Sequence, residues 1–224
     1  EKARLPVGQI LPGLSRTFAF THLFDKSGKR NVVTSLSLSD DIPSDSICTN
    51  QVEVSNEINV LIVDGRPAST GYDRAGAFVE AALSPAVKGT NLVFLVRPKV
   101  VRSASLEDEK AFKGVHAAIL CDVPMLSAVA TTNLSKYVSN GGSLVNLLGP
   151  QSKHEYYTNS LFAAKWTNWN DSVENVTFKD APVIAHAAFD ENAFGKQSEC
   201  AWRYSNGECA GVISSVGRGR TVTL

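Results

Sequence analysis

The sequence predicts an α/β fold with a mostly parallel β-sheet, helices on both faces of that sheet, and a small antiparallel β region before it. Residues 58–67 read I-N-V-L-I-V-D-G-R-P, a short apolar run closed by turn residues. Such a run is typical of a strand that is buried on both faces, as strands in parallel sheets are. Similar apolar runs recur at 115–121 and 144–148, and helix-like segments alternate with them. These observations together favour an open sheet with right-handed crossovers.

Residues 1–57 have a different pattern, which predicts a separate β-rich region. Three segments alternate between apolar and polar residues and are separated by turn residues and a polar loop; they are 17–24, 30–38 and 47–54. Three antiparallel strands with one polar face do not close a sandwich by themselves. We therefore expect a partial, sandwich-like β region at 1–57, followed by the α/β domain at 58–224.

The pattern after residue 58 predicts the elements of that domain one by one. Strands are expected at 58–63, 91–96, 115–121 and 143–148; helices are expected at 72–83 and 127–139, with a charged helical turn at 105–113. Ser127 can cap the second helix, and Gly141-Gly142 can end it. A further helix is expected at 152–162. Antiparallel strands added to the edge of the sheet are expected after it, at 182–189, in the hairpin about Asn206-Gly207, and at 219–224. The crossovers indicate flavodoxin-like topology.

The composition argues against two classes of partner. The chain has 224 residues, 43% of them hydrophobic, and a formal net charge of zero. A chain without net charge has no global field to attract nucleic acid, so we expect no nucleic-acid partner. No apolar run approaches the ~18–20 residues that span a bilayer, so we expect no direct membrane insertion by this chain. Because it begins at Glu1 rather than Met, it is expected to be a piece of a longer protein.

The four cysteines predict neither a metal site nor a disulfide framework. None of them forms a C-x-x-C pair, so no structural zinc site is expected. In a regular hairpin about Asn206-Gly207, Tyr204 pairs with Cys209 and Cys200 pairs with Ile213. The two sulfurs would then lie four residues apart along the ladder, roughly 13 Å. We therefore predict free thiols for Cys200 and Cys209.

Polar residues follow the predicted parallel strands where a ligand site is usual, beyond the carboxyl ends of the strands. Asp64 and Arg66 follow the first strand, and Asp122 follows the strand that ends at Cys121. One interpretation is turn chemistry, in which the two carboxylates accept backbone N–H groups. The other is a polar pocket for a small molecule or ion. Its candidate residues are Asp64, Arg66, Cys121, Asp122, Gln151 and His154.

Cys121 and the tryptophans carry two rival functional hypotheses. Cys121 could be a nucleophile or a redox thiol, but the pattern favours a small, buried apolar residue at the end of a strand. Moreover, the adjacent Asp122 carboxylate would raise the pKa of that thiol rather than lower it. Trp166 and Trp169 could form a platform for carbohydrate, although packing in the core or between domains is the favoured explanation.

Several segments, taken in order, resemble a known family. These are V-L-I-V-D-G-R-P, H-A-A-I-L-C-D-V-P-M-L-S, Y-V-S-N-G-G-S-L-V-N-L-L-G, Y-Y-T-N-S-L-F and S-V-G-R-G-R-T-V-T-L. Together they resemble the class I glutamine amidotransferase-like domain of large bacterial membrane-anchored proteins that also carry von Willebrand factor A domains. The segments F-D-K-S-G and D-D-I-P-S-D-S resemble the end of the immunoglobulin-like β region that commonly precedes that domain.

The catalytic residues of the amidotransferases do not carry over to this chain. The elbow expected after Leu148 reads Gly149-Pro150-Gln151 and holds neither Cys nor Ser, and no H-x-E sequence occurs. The resemblance therefore implies a non-catalytic binding or interaction module, without cofactor, in the soluble part of an envelope-associated protein. Its expected partners are other domains of the same parent or a protein complex. Two alternatives remain open: a hydrolase or amidotransferase-type enzyme using Cys121, and a carbohydrate-binding module using Trp166 and Trp169.

Overall fold

The computed structural model describes residues 3–37, 45–67, 70–85, 94–157, 161–162, 166–171 and 173–224. The chain divides into two compact units, Glu1–Asn56 and Glu57–Leu224. Within the described ranges, no helix has the length and apolar character needed to cross a membrane.

The described residues of the first unit contain one antiparallel pair of strands. Strands β1 (Gly28–Ser35) and β2 (Ile47–Val54) pair without a register shift, from Gly28 opposite Val54 to Ser35 opposite Ile47. The strand predicted at 17–24 is wrong, because these residues form no regular strand. Alternation of apolar and polar residues makes a strand only where a neighbouring strand satisfies the backbone hydrogen bonds. Here Leu23 is 85% exposed.

The second unit is a mixed α/β structure built on a seven-stranded sheet. The described strands of this unit, which belong to that sheet and to two smaller ones, are in chain order β3 Ile58–Asp64, β4 Val96–Arg102, β5 Ala117–Cys121, β6 Ser143–Leu147, β7 Trp166–Asn170, β8 Val176–Phe178, β9 Ala181–Val183, β10 His186–Phe189, β11 Ser198–Arg203, β12 Cys209–Val216 and β13 Gly219–Thr223. The order in the sheet is β11-β12-β13-β6-β5-β3-β4. The last five strands of that order are parallel, while β12 is antiparallel to both of its neighbours. The pairs β7–β10 and β8–β9 form separate two-stranded sheets.

Two α-helices are described in this unit, α1 at Ala77–Leu83 and α2 at Ala128–Ser139. The prediction for α2 is confirmed, including its cap: the Ser127 hydroxyl oxygen accepts the N–H of Ala130 at 3.2 Å. Helix α1 is shorter than predicted and follows a 3₁₀ turn at Gly71–Asp73. Instead of the helix expected from residue 152, the structure has a 3₁₀ turn at His154–Tyr156, and 158–160 lie outside the described residues.

The core consists of two main clusters, and alternate residues of β3 contribute to different ones. Leu61 and Val63 belong to the cluster that contains the buried residues of α2. Val60 and Ile62 belong to a second cluster, against which Val79 of α1 packs. Since successive side chains of a strand point to opposite sides of the sheet, β3 is buried on both.

Strand β4 lies later in the chain than the predicted strand at 91–96, of which 91–93 are outside the described residues. The sequence V-R-P-K-V-V-R was not recognised because Pro98 lacks a donor and three cations interrupt the apolar pattern. Strand β4 is the last strand of the sheet and pairs only with β3 among the described strands. Proline and charged residues are common on edge strands, where they discourage further pairing. The edge position therefore explains the missed assignment.

The prediction of free thiols at the β11–β12 hairpin is wrong. Cys200 and Cys209 form a disulfide, with their Cα atoms 5.9 Å apart. A regular ladder would have placed Cys200 opposite Ile213, but it lies opposite Val212, and the register shifts twice before Arg203 pairs with Cys209. Bulges bend and twist a strand, so a distance counted along an uninterrupted ladder does not apply here. The other two cysteines are free, Cys48 exposed and Cys121 buried.

Candidate functional site at the carboxyl end of the sheet

Asp64, the last residue of β3, is buried and is surrounded by backbone donors. Its Oδ1 atom accepts the N–H of Arg66 at 2.8 Å and that of Ala75 at 3.2 Å, and its Oδ2 atom accepts the N–H of Gly76 at 3.4 Å. The Arg74 guanidinium lies 4.0 Å from Oδ2. The carboxylate therefore ties the turn after β3 to the start of α1.

The ends of β3 and β5 approach so closely that only glycine fits after Asp64. The N–H of Gly65 donates to the carbonyl oxygen of Cys121 at 2.9 Å. A Cβ atom on Gly65 would overlap the carbonyl group of Asp122. The glycine thus brings the two strand ends, and the aspartates beside them, into one place.

Asp122 has a left-handed backbone conformation, with φ of 46°, and its side chain holds the turn that follows β6. Its Oδ1 atom accepts the N–H groups of Gln151 at 2.9 Å and of Ser152 at 3.2 Å, and the Ser152 hydroxyl at 3.4 Å. A Cβ atom on Gly149 would collide with the Asp122 carboxyl group. A non-glycine residue at positive φ persists only where surrounding contacts fix it, and these contacts do so.

Arg66 faces the other oxygen of the same carboxylate. Its Nε atom lies 3.6 Å from Asp122 Oδ2, and neither of these two buried atoms makes a hydrogen bond within the described structure. The pKa of Asp122 is raised, first because burial disfavours the charged form. The hydrogen bond from Gln151, the charge of Arg66 and the bonds from Ser152 oppose that rise. Keeping the Asp122 carboxylate charged in this turn therefore costs free energy, because burial outweighs the hydrogen bonds and the charge of Arg66.

Cys121 is enclosed at the end of β5, with 2% of its surface exposed. Burial raises the pKa of its thiol to about 12, and the charges of Asp64 and Asp122 add to the rise. Only the thiolate is nucleophilic, and almost none of it forms at neutral pH with such a pKa. The thiol therefore fills space in the cluster that contains Ile62.

His154 and the two tryptophans lie apart from the hydrogen bonds of the two aspartates. The His154 ring packs edge-on against Trp166, with ring centroids 5.5 Å apart. Trp166 is only 3% exposed, and Trp169 packs against the same core cluster. A flat, accessible tryptophan pair is therefore not formed.

The structure thus brings together Asp64, Arg66, Cys121, Asp122 and Gln151, whereas His154 has a different neighbour. Sequence reasoning missed Ser152, whose hydroxyl accepts the N–H of Gly149 at 3.2 Å while it donates to Asp122. It also missed the strained backbone of Asp122. The one available signal was the aspartate itself, a residue type that tolerates left-handed conformations. Among the described residues, no cluster of three or more His, Cys, Asp or Glu side chains could hold a metal ion.

Neither a protein-family model nor a curated protein sequence matches this chain. Solved structures do match it in fold. A cytoplasmic protein of Salmonella typhimurium aligns with a TM-score of 0.50 at 13% identity, over 75% of this chain and 86% of its own. An exo-β-1,4-mannosidase from an Opitutaceae bacterium aligns with a TM-score of 0.51 at 13% identity, over 75% of this chain and 31% of its own.

A β-galactosidase from a Rahnella species aligns with a TM-score of 0.50 at 11% identity, over 76% of this chain and 29% of its own. The chain thus matches less than a third of the length of either glycosidase. At such low identities the likeness concerns the fold alone.

Proposed function

We propose that residues 58–224 form a non-catalytic amidotransferase-like domain that serves as a binding or interaction module of a larger envelope-associated bacterial protein. In this proposal residues 1–57 belong to an immunoglobulin-like β region, and a von Willebrand factor A domain occurs elsewhere in the parent. The partners are other domains of that parent or a protein complex.

The sheet supports the flavodoxin-like part of the proposal. Taken in chain order, the five parallel strands are β3, β4, β5, β6 and β13, and their spatial order therefore corresponds to 2-1-3-4-5. That order is the flavodoxin-like one. Helices α1 and α2 pack against different clusters of the core, and alternate side chains of β3 point into one cluster or the other. This arrangement fits helices on both faces of the sheet.

The observation that carries the non-catalytic part is the turn after β6. An amidotransferase of this class needs a nucleophile at this corner and N–H groups that are free to bind an oxyanion. Here the corner holds Gly149, Pro150 and Gln151, and the N–H groups of Gln151 and Ser152 donate to the Asp122 carboxylate. The backbone donors at this corner are used to stabilise the turn.

The two alternatives have less support. An enzyme using Cys121 would need a thiolate, and burial raises the pKa of this thiol to about 12. A carbohydrate module would need accessible rings, and Trp166 is buried. The glycosidase matches do not support a carbohydrate site, because each match covers less than a third of the enzyme's length. The fold therefore occurs as one part of larger proteins.

One exposed apolar pair supports a role in protein contacts. Tyr72 and Phe78 are 70% and 69% exposed, and their rings stack with centroids 5.2 Å apart. Large aromatic side chains that are exposed together are enriched at protein interfaces. We expect this pair to contact a neighbouring domain of the parent.

Activity assays test the non-catalytic claim. Glutamine and p-nitrophenyl ester hydrolysis are measured for the 224-residue protein and for Cys121→Ser. The proposal predicts no turnover by the unmodified protein beyond that of the variant. Hydrolysis that requires Cys121 would establish the enzyme alternative.

Co-elution tests the interaction claim. The 224-residue protein is mixed with separately purified domains of its parent and passed through a size-exclusion column. Co-elution with one of them is expected, and it should be lost on Tyr72→Ser with Phe78→Ser. Val129→Ser is the control, because Val129 is also exposed but lies on α2. If no parent domain co-elutes, the interaction claim fails.

A further inference from the structure

Three polar side chains are buried side by side on one face of the seven-stranded sheet. Asn146 of β6 lies directly opposite Thr223 of β13, and Thr221 is two residues before Thr223 on the same strand. Paired residues of adjacent strands, and residues two apart on one strand, point to the same side of a sheet. Asn146 and Thr221 are 1% exposed and Thr223 is 2% exposed. These three residues form the Asn–Thr cluster.

The side chains that surround the Asn–Thr cluster do not pair with it. Leu120 of β5 and Leu144 of β6 lie on the same face of the sheet and belong to the core cluster that contains the buried residues of α2. Ser214 lies opposite Thr221 on β12, but its hydroxyl donates to Ser198 Oγ at 2.9 Å. The Asn–Thr cluster is therefore a polar site within a largely apolar core.

Four side-chain atoms of the Asn–Thr cluster make no hydrogen bond within the described structure. They are Oδ1 and Nδ2 of Asn146 and the Oγ1 atoms of Thr221 and Thr223. Buried polar groups in folded proteins are almost always paired, either with protein groups or with ordered water. Each group left unpaired lowers the folding equilibrium constant by about fivefold or more. The cluster therefore requires a partner that can both donate and accept hydrogen bonds.

We propose that the Asn–Thr cluster binds one or two internal water molecules. Water donates to Asn146 Oδ1, accepts from Asn146 Nδ2, and does either with a threonine hydroxyl. A buried water makes about three hydrogen bonds, so one or two of them pair all four atoms. A cation would leave Nδ2 unpaired, and an anion would leave Oδ1 unpaired. The inference concerns the core of the domain and does not depend on the interaction role proposed above.

The oxygen-17 relaxation dispersion of water tests the proposal, because it counts waters that stay in a protein for longer than its tumbling time. It is measured on the 224-residue protein and on the triple variant Asn146→Leu, Thr221→Val, Thr223→Val. The triple variant should lose the contribution of one or two long-lived waters. Thr34→Val is the control and should lose none, because the Thr34 hydroxyl on β1 already donates to the carbonyl oxygen of Cys48 at 3.3 Å.

The sign of a stability change separates a bonded hydroxyl from an unpaired one. Thr223→Val removes the hydroxyl and keeps a branched side chain of similar shape. If water pairs with this hydroxyl, the folding equilibrium constant from urea denaturation should fall by about fivefold, the contribution of one net hydrogen bond. An unpaired hydroxyl predicts a rise instead, because the substitution relieves the cost of burying a polar group without a partner.

Two results would overturn the proposal: no loss of long-lived water in the triple variant, or a rise in the folding equilibrium constant of Thr223→Val. A direct hydrogen bond between Asn146 and Thr223 would show as a destabilised Thr223→Val without any loss of water in the triple variant, and it also refutes the site. If the triple variant fails to fold, Asn146→Leu and the double variant Thr221→Val, Thr223→Val are measured separately. Unchanged water contributions in both then refute the proposal.

Discussion

The two ends of the parallel sheet use polar groups in opposite ways. At the carboxyl end, Asp64 and Asp122 are buried, and backbone N–H groups surround them. At the amino end, Lys113 and Lys136 line an open depression in the surface, and Lys136 Nζ lies 4.0 Å from Glu109 Oε1. The carboxyl end is where open α/β sheets usually bind ligands.

The difference teaches that a polar residue's position at a strand end does not by itself show that it binds a ligand. Backbone N–H groups donate to both oxygens of Asp64 and to Oδ1 of Asp122, whereas Asp122 Oδ2 makes no hydrogen bond within the described structure. Removing either carboxylate leaves these N–H donors unpaired. The hydrogen-bond partners of each side chain are therefore better evidence of function than its place at a strand end.

The largest effect is expected from Asp64→Ala at the carboxyl end. It removes the acceptor of three backbone N–H groups in a buried turn. Since each unsatisfied buried group costs about 1–3 kcal/mol, the free energy of unfolding should fall by about 3 kcal/mol or more. Urea denaturation measures the loss. Asp64→Asn, which keeps one acceptor oxygen, should lose less. A loss below about 1 kcal/mol for Asp64→Ala would show that the carboxylate does not hold the turn.

Asp122→Asn should alter the pH dependence of stability. Burial raises the pKa of Asp122 in the folded state above its ordinary value of 3.8, so the folded chain binds this proton more tightly than the unfolded chain. This residue therefore lowers stability as the pH rises from about 3.8 through its folded pKa. Asp122→Asn should abolish that decline and remain within about 1 kcal/mol of the unmodified protein at neutral pH.

Two comparisons complete this prediction. Asp122→Ala should lose about 2 kcal/mol at neutral pH, because the N–H groups of Gln151 and Ser152 lose their acceptor. Asp108→Asn is the control, since Asp108 is exposed and accepts one N–H, from Lys110 at 2.9 Å. Its pH profile should follow that of the unmodified protein. An unchanged profile for Asp122→Asn would contradict the burial of this charge.

The smallest effects on stability are expected at the amino end. Lys113→Met and Lys136→Met should each change the free energy of unfolding by less than about 0.5 kcal/mol, because Lys113 is exposed and the exposed Lys136–Glu109 ion pair contributes little. Urea denaturation in parallel with Asp64→Ala gives the comparison directly. A loss above about 1 kcal/mol would mean that these lysines serve the fold, for instance by compensating the dipole at the end of α2.

The sequence predicted β3, β5 and β6 well, because apolar runs closed by turn residues depend on local pattern alone. The prediction of an antiparallel addition to the sheet edge at 219–224 is wrong, because β13 lies between β12 and β6 and pairs with β6 in parallel. It missed β4, whose Pro98 and cations are permitted by an edge position that is visible only in the assembled sheet. It also missed the Cys200–Cys209 bridge, because two register shifts have no clear signal in the sequence.

The candidate site could likewise be predicted from the sequence only in part. The convergence of Asp64, Arg66 and Asp122 follows from strand ends that meet at one edge of a parallel sheet. The role of Ser152 and the left-handed backbone of Asp122 depend on how the turn after β6 meets β5.

The central proposal, that the Cys121 thiol at the carboxyl end is unreactive, can be tested directly by labelling Cys121. The protein carrying Cys48→Ser is treated with iodoacetamide at neutral pH, and the modified sites are located by mass spectrometry. The unmodified protein, with its exposed Cys48, serves as the reactive reference. The account predicts that Cys121 remains unlabelled in the native protein and reacts only after unfolding. Fast and selective labelling of Cys121 in the folded protein would contradict it.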